Sequence, residues 1–294
     1  MIRYLIILLA GLWLMSGCSD DMGNPLAVVQ EESLSVTDKN WADSSLWDDG
    51  KAEVAIYAAE RPIYNKKREF DYVYILVKET FNAKYNTKTE SYEREDLFEV
   101  MKVNKFARIE TDKYPYHFLT SIFTKRKMPG NLHKMTHSSQ EWCGNTYKEF
   151  RKEKSSYVYN YSSYWDGQGN GNLLLPGNVW FEDQLSYTLR ALDFKDGMTF
   201  EKQIVPSQVS NKAGEPKVKK ATIRITRSKE GDINGAARYI QEAGIWRVEV
   251  EMGRSETLVY WFEDIYPNIL IKKTTWDGRN LLLKSIDRQA YWEH

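Results

Sequence analysis

The sequence has few cysteines and no surplus of either charge. Its 294 residues include two cysteines, and 41 basic residues are balanced by 41 acidic ones. A nucleic-acid-binding protein needs a basic surplus to neutralise phosphates, so the zero net charge argues against that class and against nucleic acid as a partner. Cys18 lies at the end of an N-terminal export signal, so Cys143 has no partner for an internal disulfide, and the fold does not depend on one.

Apolar runs long enough to span a membrane are also missing. Residues 4–15 are almost entirely apolar, broken only by Gly11, and they follow the basic Arg3. A run of this length is typical of a signal peptide and is too short for a hydrocarbon layer of roughly 30 Å. We therefore expect the N-terminus to direct export and not to form a transmembrane helix.

The end of this run is typical of a bacterial lipoprotein. Ser16 and Gly17 precede Cys18, although Met15 stands where the motif prefers Leu. In lipoproteins the chain is cut before the cysteine, whose sulfur receives a diacylglyceryl group and whose new amine receives an acyl chain such as palmitate. We therefore predict a signal peptide over residues 1–17 and lipidation at Cys18, with about 0.8 kcal/mol of anchoring from each buried methylene. The alternative is a plain secretory signal with Cys18 as a bystander.

The next residues suggest where the protein is held and how. Ser19 follows the lipidated cysteine, whereas an Asp there retains enterobacterial lipoproteins at the inner membrane. We therefore predict attachment to the outer membrane, facing the periplasm. Residues 18–45 are polar and lack a sustained period, which is typical of a flexible tether. Residues 46–294 are predicted to form a β-rich domain.

Strand patterns dominate this domain. Residues 97–103 form a short segment that is rich in β-branched and aromatic side chains. In residues 221–226 and 245–252, apolar residues alternate with polar ones. Alternation with one polar face indicates an antiparallel sheet. Tyr72–Val77 and Leu258–Phe262 are apolar on both faces, so a helix, a second sheet or a bound apolar ligand is expected to cover the second face.

One helix and one hairpin complete the expected fold. Residues 179–192 carry apolar side chains at helical spacing, with Asn178 as the candidate N-cap. Asp277–Gly278 is predicted to form a tight hairpin turn by supplying positive φ angles. The fold class is thus mainly β, an antiparallel curved sheet or incomplete barrel with one packed helix at about 179–192. The Gly- and Asn-rich residues 166–177 also allow a division into two lobes.

One region concentrates side chains that can do chemistry. It contains the candidate functional residues His117, His133, His137, Glu141, Trp142 and Cys143. Histidine and cysteine are natural zinc ligands, but two histidines four positions apart on a strand lie about 13 Å from each other at about 3.3 Å per residue. We therefore predict no metal site and no other cofactor.

No recognised catalytic motif is present. The sequence lacks Gly-x-Ser-x-Gly, His-Glu-x-x-His and a P-loop, and we assign no catalytic residue. A histidine could activate Cys143 as a nucleophile, but free cysteines are usually small buried apolar residues. The aromatic content of 14% would permit stacking against sugars, although packing in a core explains most of these residues equally well.

Several segments resemble a known group of proteins. Asp49–Glu53, Tyr114–Tyr116 with Ser121 and Phe123, and above all Ser138–Gly144 resemble uncharacterised bacterial lipoproteins that often carry the label "septum formation inhibitor Maf". The resemblance extends from about residue 47 to the C-terminus and is most specific at residues 140–144. It implies a secreted, lipid-anchored protein and supplies no catalytic residues.

The label itself does not transfer. True Maf proteins are cytosolic nucleotide pyrophosphatases with a Ser-x-Arg-Arg signature, and this chain has no such tetrapeptide. The C-terminal half, which carries Arg288–Trp292 close to its end, is also similar to a domain of unknown function found in other envelope proteins.

These observations favour a non-enzymatic role. We predict a binding or scaffold protein of the bacterial envelope, held at the membrane by its N-terminal lipid, whose partner is an apolar or lipid-like ligand or an envelope protein. The alternative is a periplasmic hydrolase or metal-dependent enzyme that uses the region of His117, His133, His137 and Cys143.

Overall fold

The described part of the chain consists mostly of β-strands. A computed structural model describes residues 36–228 and 244–293. The predicted signal peptide, the lipidation site at Cys18 and the tether up to residue 35 lie outside these residues. Within the described ranges, no helix combines the length and apolar character needed to cross a membrane.

Sixteen strands form one sheet. They are β1 Ala52–Ile63, β2 Lys66–Asn82, β3 Thr87–Lys88, β4 Leu97–Ile109, β5 Tyr116–Lys125, β6 Leu132–Glu141, β7 Gly144–Glu153, β8 Ser156–Ser163, β9 Asn170–Pro176, β10 Trp180–Phe181, β11 Thr199–Val205, β12 Lys219–Ser228, β13 Ile245–Glu251, β14 Thr257–Glu263, β15 Leu270–Thr275 and β16 Asn280–Gln289.

The sheet follows the chain with few exceptions. The strand order is β10-β11-β12-β13-β14-β15-β16-β1-β2-β4-β5-β6-β7-β8-β9, and β3 pairs only with β2. All neighbours are antiparallel except β10 and β11, and the pairing of β16 with β1 joins the two halves of the chain. The prediction of a mainly antiparallel, curved and unclosed sheet is therefore confirmed. Strands on both sides of residues 166–177 belong to this one sheet.

The predicted helix is shorter than expected. The helical segment runs over residues 182–191 and consists of a 3-10 turn Glu182–Gln184, helix α1 Leu185–Thr188 and a second 3-10 turn Leu189–Ala191. Residues 180 and 181 are extended instead, because they pair with β11. The side chain of Gln184, and not that of Asn178, accepts a hydrogen bond from Phe181 N at 3.1 Å. The predicted span of 179–192 and its N-cap are thus wrong at the N-terminal end.

The helical segment packs on the inner face of the sheet, which we define as the face that contacts it. Leu185 and Leu189 are fully buried in a core that includes Tyr57, Val248 and Phe262. A second apolar cluster on the same face includes residues of β4, β6, β7 and β8. The prediction of a helix packed on a sheet is confirmed.

The folded unit begins before the predicted domain boundary at residue 46. Trp41 is only 4% exposed, although the tether was expected to extend to residue 45. The hydroxyl of Tyr266 donates a hydrogen bond to Trp41 O at 2.8 Å and accepts one from Trp47 Nε1 at 2.8 Å. Residues 36–45 therefore form part of the fold, because two large aromatic rings find a buried place on it.

Two strand segments, Tyr72–Val77 and Leu258–Phe262, are apolar on both faces, and different residues cover their inner and outer faces. On the inner face, Leu76 and Tyr260 lie in the main apolar clusters. On the outer face, Ile75 packs with residues of β1 and β2, while Trp261 packs with residues of β13, β15 and β16. Side chains of neighbouring strands thus cover the outer face at these two places.

The predicted hairpin turn at Asp277–Gly278 lies beside a cavity on the inner face of the sheet. Gly278 N donates to Thr275 O at 3.1 Å, and Gly278 has a φ of 78°. Only the glycine of the Asp277–Gly278 pair adopts a positive φ, which β-carbon-bearing residues rarely do. The turn places Arg279 immediately before β16.

Candidate functional site

A small cavity lies between the inner face of the sheet and the start of the helical segment. Its volume is about 50 Å³. It is lined by Glu60, Arg61, Phe70, Tyr72, Tyr74, Lys105, Ala107, Ile109, Phe118, Glu182, Asp183, Ser186, Ser207, Val209, Tyr260, Lys273, Arg279 and Leu281. The lining combines aromatic walls with a concentration of buried charge.

Strand alternation places a lysine inside this cavity. On β4, residues 101, 103, 105, 107 and 109 are all buried because alternate side chains point to the same face. Four of these residues are apolar, and the fifth is Lys105. The same alternation on β2 brings Tyr72 and Tyr74 into the cavity beside it.

Lys105 carries a charge that the protein does not fully balance. The side chain is 4% exposed, and its Nζ donates to Asp183 O at 2.5 Å and lies 4.6 Å from the centre of the Tyr74 ring. Within residues 36–228 and 244–293, no carboxylate forms an ion pair with it. Burial lowers the pKa of Lys105 to about 7, because desolvation penalises the charged ammonium.

Glu182 forms the acidic side of the cavity. Its carboxylate lies 2.9 Å from Arg279 Nη1 and 3.4 Å from Lys273 Nζ, and it accepts a hydrogen bond from Ser207 N at 3.0 Å. Burial alone would raise the pKa of Glu182, but the positive charges of Lys273 and Arg279 outweigh burial and lower it to about 2. Glu182 therefore stays ionised and neutralises part of the cationic charge.

Asp183 holds a segment that crosses over the cavity. Its carboxylate accepts hydrogen bonds from Ser207 Oγ at 2.6 Å and from Gln208 N at 2.7 Å. We call residues 206–213 the crossing segment, because they run over the inner face outside any strand. Ser207 and Val209 of this segment line the cavity, so the segment forms part of its wall.

Side chains of the sheet hold the rest of the crossing segment. Its backbone accepts hydrogen bonds from Arg61, Lys148 and Thr146, contacts His137, and donates to Gln168. Burial lowers the pKa of His137 to about 3, and burial lowers that of Lys148 to about 8. The neutral His137 ring therefore serves as a hydrogen-bonding group beneath the segment.

Two residues that line the cavity carry a polar group without a hydrogen-bond partner among the described residues. Arg61 lies 5.2 Å above the Phe118 ring and donates to Val209 O at 3.3 Å, but its buried Nε has no hydrogen-bond partner. The hydroxyl of Tyr260 is also buried without a partner, and the residue is 0% exposed. Buried polar groups normally find a partner, so these two offer hydrogen-bonding capacity to a ligand in the cavity.

Most residues predicted to be functional lie elsewhere and do not converge. His117 is exposed on β5, whereas His133 is bonded to Asn86 Oδ1 at 2.6 Å and contacts the Phe98 ring. His137 instead stacks against Phe118 and bonds Thr120 Oγ1 at 2.9 Å. The strand register shows an extra residue at His133, which interrupts the alternation between His133 and His137.

The β6–β7 hairpin carries the remaining candidates. Glu141 accepts a hydrogen bond from Asn211 at 2.7 Å, while Trp142 is 78% exposed and stacks on Tyr114 with ring centres 6.0 Å apart. Cys143 is exposed, and its Sγ lies 3.6 Å from the Tyr114 hydroxyl. In the part of the chain that the structure describes, no three His, Cys, Asp or Glu residues are placed to hold one metal ion.

Comparison with known proteins adds two distant structural likenesses. No family model matches the chain, and no curated protein matches its sequence. A β-barrel-like protein of the domain of unknown function DUF1849 from Brucella abortus is 11% identical, covers 82% of this chain and 98% of its own, and has a TM-score of 0.45. A DUF1089 family protein from Pseudomonas aeruginosa is 13% identical, covers 58% of this chain and 82% of its own, and has a TM-score of 0.36.

Proposed function

We propose that the protein is a non-enzymatic binding protein of the bacterial envelope whose ligand occupies the inner cavity. The observation that carries this proposal is the incomplete hydrogen bonding of the cavity, where the Arg61 Nε and the Tyr260 hydroxyl have no partner. An unpaired buried polar group costs about 1–3 kcal/mol, and a bound ligand would remove that cost. Pockets with a few converging polar groups among aromatic walls are typical of small-molecule sites.

An open groove supports access to the cavity. The groove has a volume of about 250 Å³ and shares five residues with the cavity lining, namely Arg61, Glu182, Ser207, Val209 and Arg279. The exposed ring of Trp276 also lines it. Most of the groove lining is charged or polar and includes Lys219, Glu256 and Asp277, so the groove suits a polar group better than an apolar chain. A lipid-like ligand, as predicted from the sequence, would therefore enter with its polar head group.

Attachment to the membrane is the second part of the proposal. The Ser16–Gly17–Cys18 order supports a lipid on Cys18, and Ser19 supports the outer membrane with the domain facing the periplasm. Such an anchor would keep the cavity close to a source of lipid-like molecules. The envelope membrane would then be the first partner of the protein.

Counting thiols tests the anchor. The chain has two cysteines, and lipidation would convert the sulfur of Cys18 into a thioether. Denatured full-length protein from its native host should therefore react with one equivalent of a thiol reagent, and its Cys143→Ala variant with none. Two equivalents, together with an N-terminal peptide that lacks acyl mass, would remove lipid anchoring from the proposal.

Native mass spectrometry of the full-length protein tests the binding function. We expect a non-protein mass that is released on denaturation. Ala107 lines the cavity, and Ala107→Met should fill the space and exclude this mass. Leu119→Met on the outer face of β5 is the matched control and should retain it. If no small molecule is bound and the protein cross-links to an envelope protein, the result would favour the scaffold role instead.

A further inference from the structure

We infer that the cavity is a site for an oxyanion, a carboxylate or phosphate group that lies between Lys105, Arg61 and the Tyr260 hydroxyl. This inference rests on the proposed binding function and specifies the chemistry of the ligand. This site differs from the apolar site expected from the sequence, because charged side chains line the cavity.

The balance of charge in the cavity favours a bound anion. Four cationic side chains line the cavity, namely Arg61, Lys105, Lys273 and Arg279. Lys273 and Arg279 are balanced by Glu182 and by Asp277, which lies 2.7 Å from Arg279 outside the lining, while Glu60 is bound at 2.7 Å by Lys67. Among the described residues Arg61 and Lys105 form no ion pair, and Asp183, which binds the crossing segment, is the one lining carboxylate left to balance them, so positive charges exceed negative ones by one. A buried surplus of this kind is costly unless an anion compensates it.

The groups left unpaired in the cavity are hydrogen-bond donors. An ammonium has three N–H donors, and in the described chain the Lys105 Nζ uses one, toward Asp183 O. The free Arg61 Nε can only donate, and the Tyr260 hydroxyl has a donor available. A neutral hydrocarbon would satisfy none of these groups. An oxyanion offers several acceptor lone pairs to all three, and hydrogen bonds to a charged acceptor are the stronger ones.

The size of the cavity limits the ligand group that it can hold. The cavity volume of about 50 Å³ exceeds the ~10–15 Å³ that one water molecule needs, but it is far below the roughly 300–1,000 Å³ of a pocket for a whole drug-sized ligand. The cavity therefore fits a single small charged group. That group can be a free oxyanion, or it can be the acidic end of an amphiphile whose chain stays outside the cavity.

Three probes distinguish these sources in calorimetric titrations of the full-length protein. Inorganic phosphate represents the free oxyanion, decanoate represents the acidic amphiphile, and decanol is a neutral molecule with the same chain length. Any molecule that copurifies is first removed and identified. We expect phosphate, decanoate or both to bind and decanol not to bind. Binding of phosphate alone would identify a free oxyanion as the ligand, and binding of decanoate alone would identify an acidic amphiphile.

Variants test the assigned groups. Lys105→Met should weaken binding of the anionic probe by at least about tenfold, as expected for the loss of a charged hydrogen bond, and Tyr260→Phe should weaken it by a smaller factor. Lys220→Met is the matched control, because Lys220 is an exposed lysine on β12. Tyr260→Phe removes one oxygen only, so it keeps the test valid if the lysine variant does not fold.

The remaining outcomes separate the two proposals. If decanol binds as well as decanoate and Lys105→Met has no effect, the oxyanion site is refuted and the binding function stands. If the copurifying molecule has no anionic group, the same conclusion applies. If no probe binds and nothing copurifies, the cavity is not a ligand site and both proposals fail.

Discussion

Buried charge occurs at both ends of the helical segment, and the two places are built in opposite ways. At the C-terminal end, Arg190 binds Glu53 of β1 through two hydrogen bonds of 2.6 and 2.9 Å. Its Nε donates to Pro267 O at 3.0 Å, so the guanidinium is well satisfied. At the N-terminal end, no carboxylate of the described residues forms an ion pair with Lys105, whose Nζ donates to Asp183 O.

The difference separates a structural role from a binding role. A matched pair such as Arg190 and Glu53 links the helical segment to the sheet and has little capacity left for a ligand. Burial would lower the pKa of Arg190, but the charge of Glu53 outweighs burial and raises it. At Lys105 burial dominates, and the pKa falls. A buried charge that the fold leaves unbalanced is the better indication of a missing ligand.

Breaking the matched pair should have the largest effect on stability. Glu53→Gln removes the carboxylate and leaves the buried Arg190 guanidinium without a counter-charge. We expect a loss of about 3–5 kcal/mol in the free energy of unfolding, measured by urea denaturation with tryptophan fluorescence.

Two controls define this effect. The exposed Asp112 binds Lys66 at 2.6 Å and Arg68 at 2.8 Å, and Asp112→Asn should cost less than about 1 kcal/mol. The double variant Glu53→Met with Arg190→Met removes both buried charges and should recover most of the lost stability. A loss in Glu53→Gln no larger than that in Asp112→Asn would contradict a structural role for the pair.

Much of the fold could be predicted from the sequence, because period-two alternation is a local signal. Residues 221–226 and 245–252 lie within or largely within β12 and β13 as that signal indicates. The start of the helical segment could not be predicted in this way. Trp180 and Phe181 are compatible with a helix, and only their pairing with β11, about twenty residues later, makes them extended.

The site was harder to predict for a physical reason. Its charged residues come from β1, β4, β15, the turn before β16 and the helical segment, so no short motif contains them. The available signal was the lysine in the otherwise apolar row of β4. The cluster from His117 to Cys143 is close in sequence, but the hairpin and the extra residue at His133 direct its side chains to different neighbours.

Removing the unbalanced charge should have the opposite effect to breaking the pair. Lys105→Met replaces a desolvated ammonium with an apolar chain of similar length. We expect the ligand-free protein to be unchanged or more stable by up to about 4 kcal/mol, measured by the same urea denaturation. A loss comparable with that of Glu53→Gln would show that Lys105 is as well satisfied as Arg190, and the contrast between the two places would disappear.

The lowered pKa of Lys105 predicts that the free energy of unfolding depends on pH. The pKa of Lys105 is about 7 in the folded protein and about 10.4 for a lysine in an unfolded chain. Between these values the unfolded chain holds a proton that the folded protein has released, so stability from this group rises with pH by at most about 1.4 kcal/mol per unit. In urea denaturation at pH 7 and pH 9, the advantage of Lys105→Met over the ligand-free wild type should shrink. An advantage that does not change with pH would contradict a lowered pKa.

Exposed candidate residues should have the smallest effect. His117 and Cys143 are both exposed, so His117→Ala and Cys143→Ala should each change stability by less than about 0.5 kcal/mol. Their binding of the anionic probes should equal that of the wild type. Loss of probe binding in either variant would move the ligand site to the region that the sequence first indicated.

The unclosed sheet has a consequence for how the protein behaves among its own copies. An open sheet ends in strands with unpaired backbone groups, which can recruit a second chain into a growing sheet. Here one end is β10, which is only two residues long, and the other is β9, where the 69% exposed Leu174 is followed two residues later by Pro176. Proline has no backbone N–H to donate. Neither edge is a long, regular template, so the curved sheet can stay open without inviting aggregation.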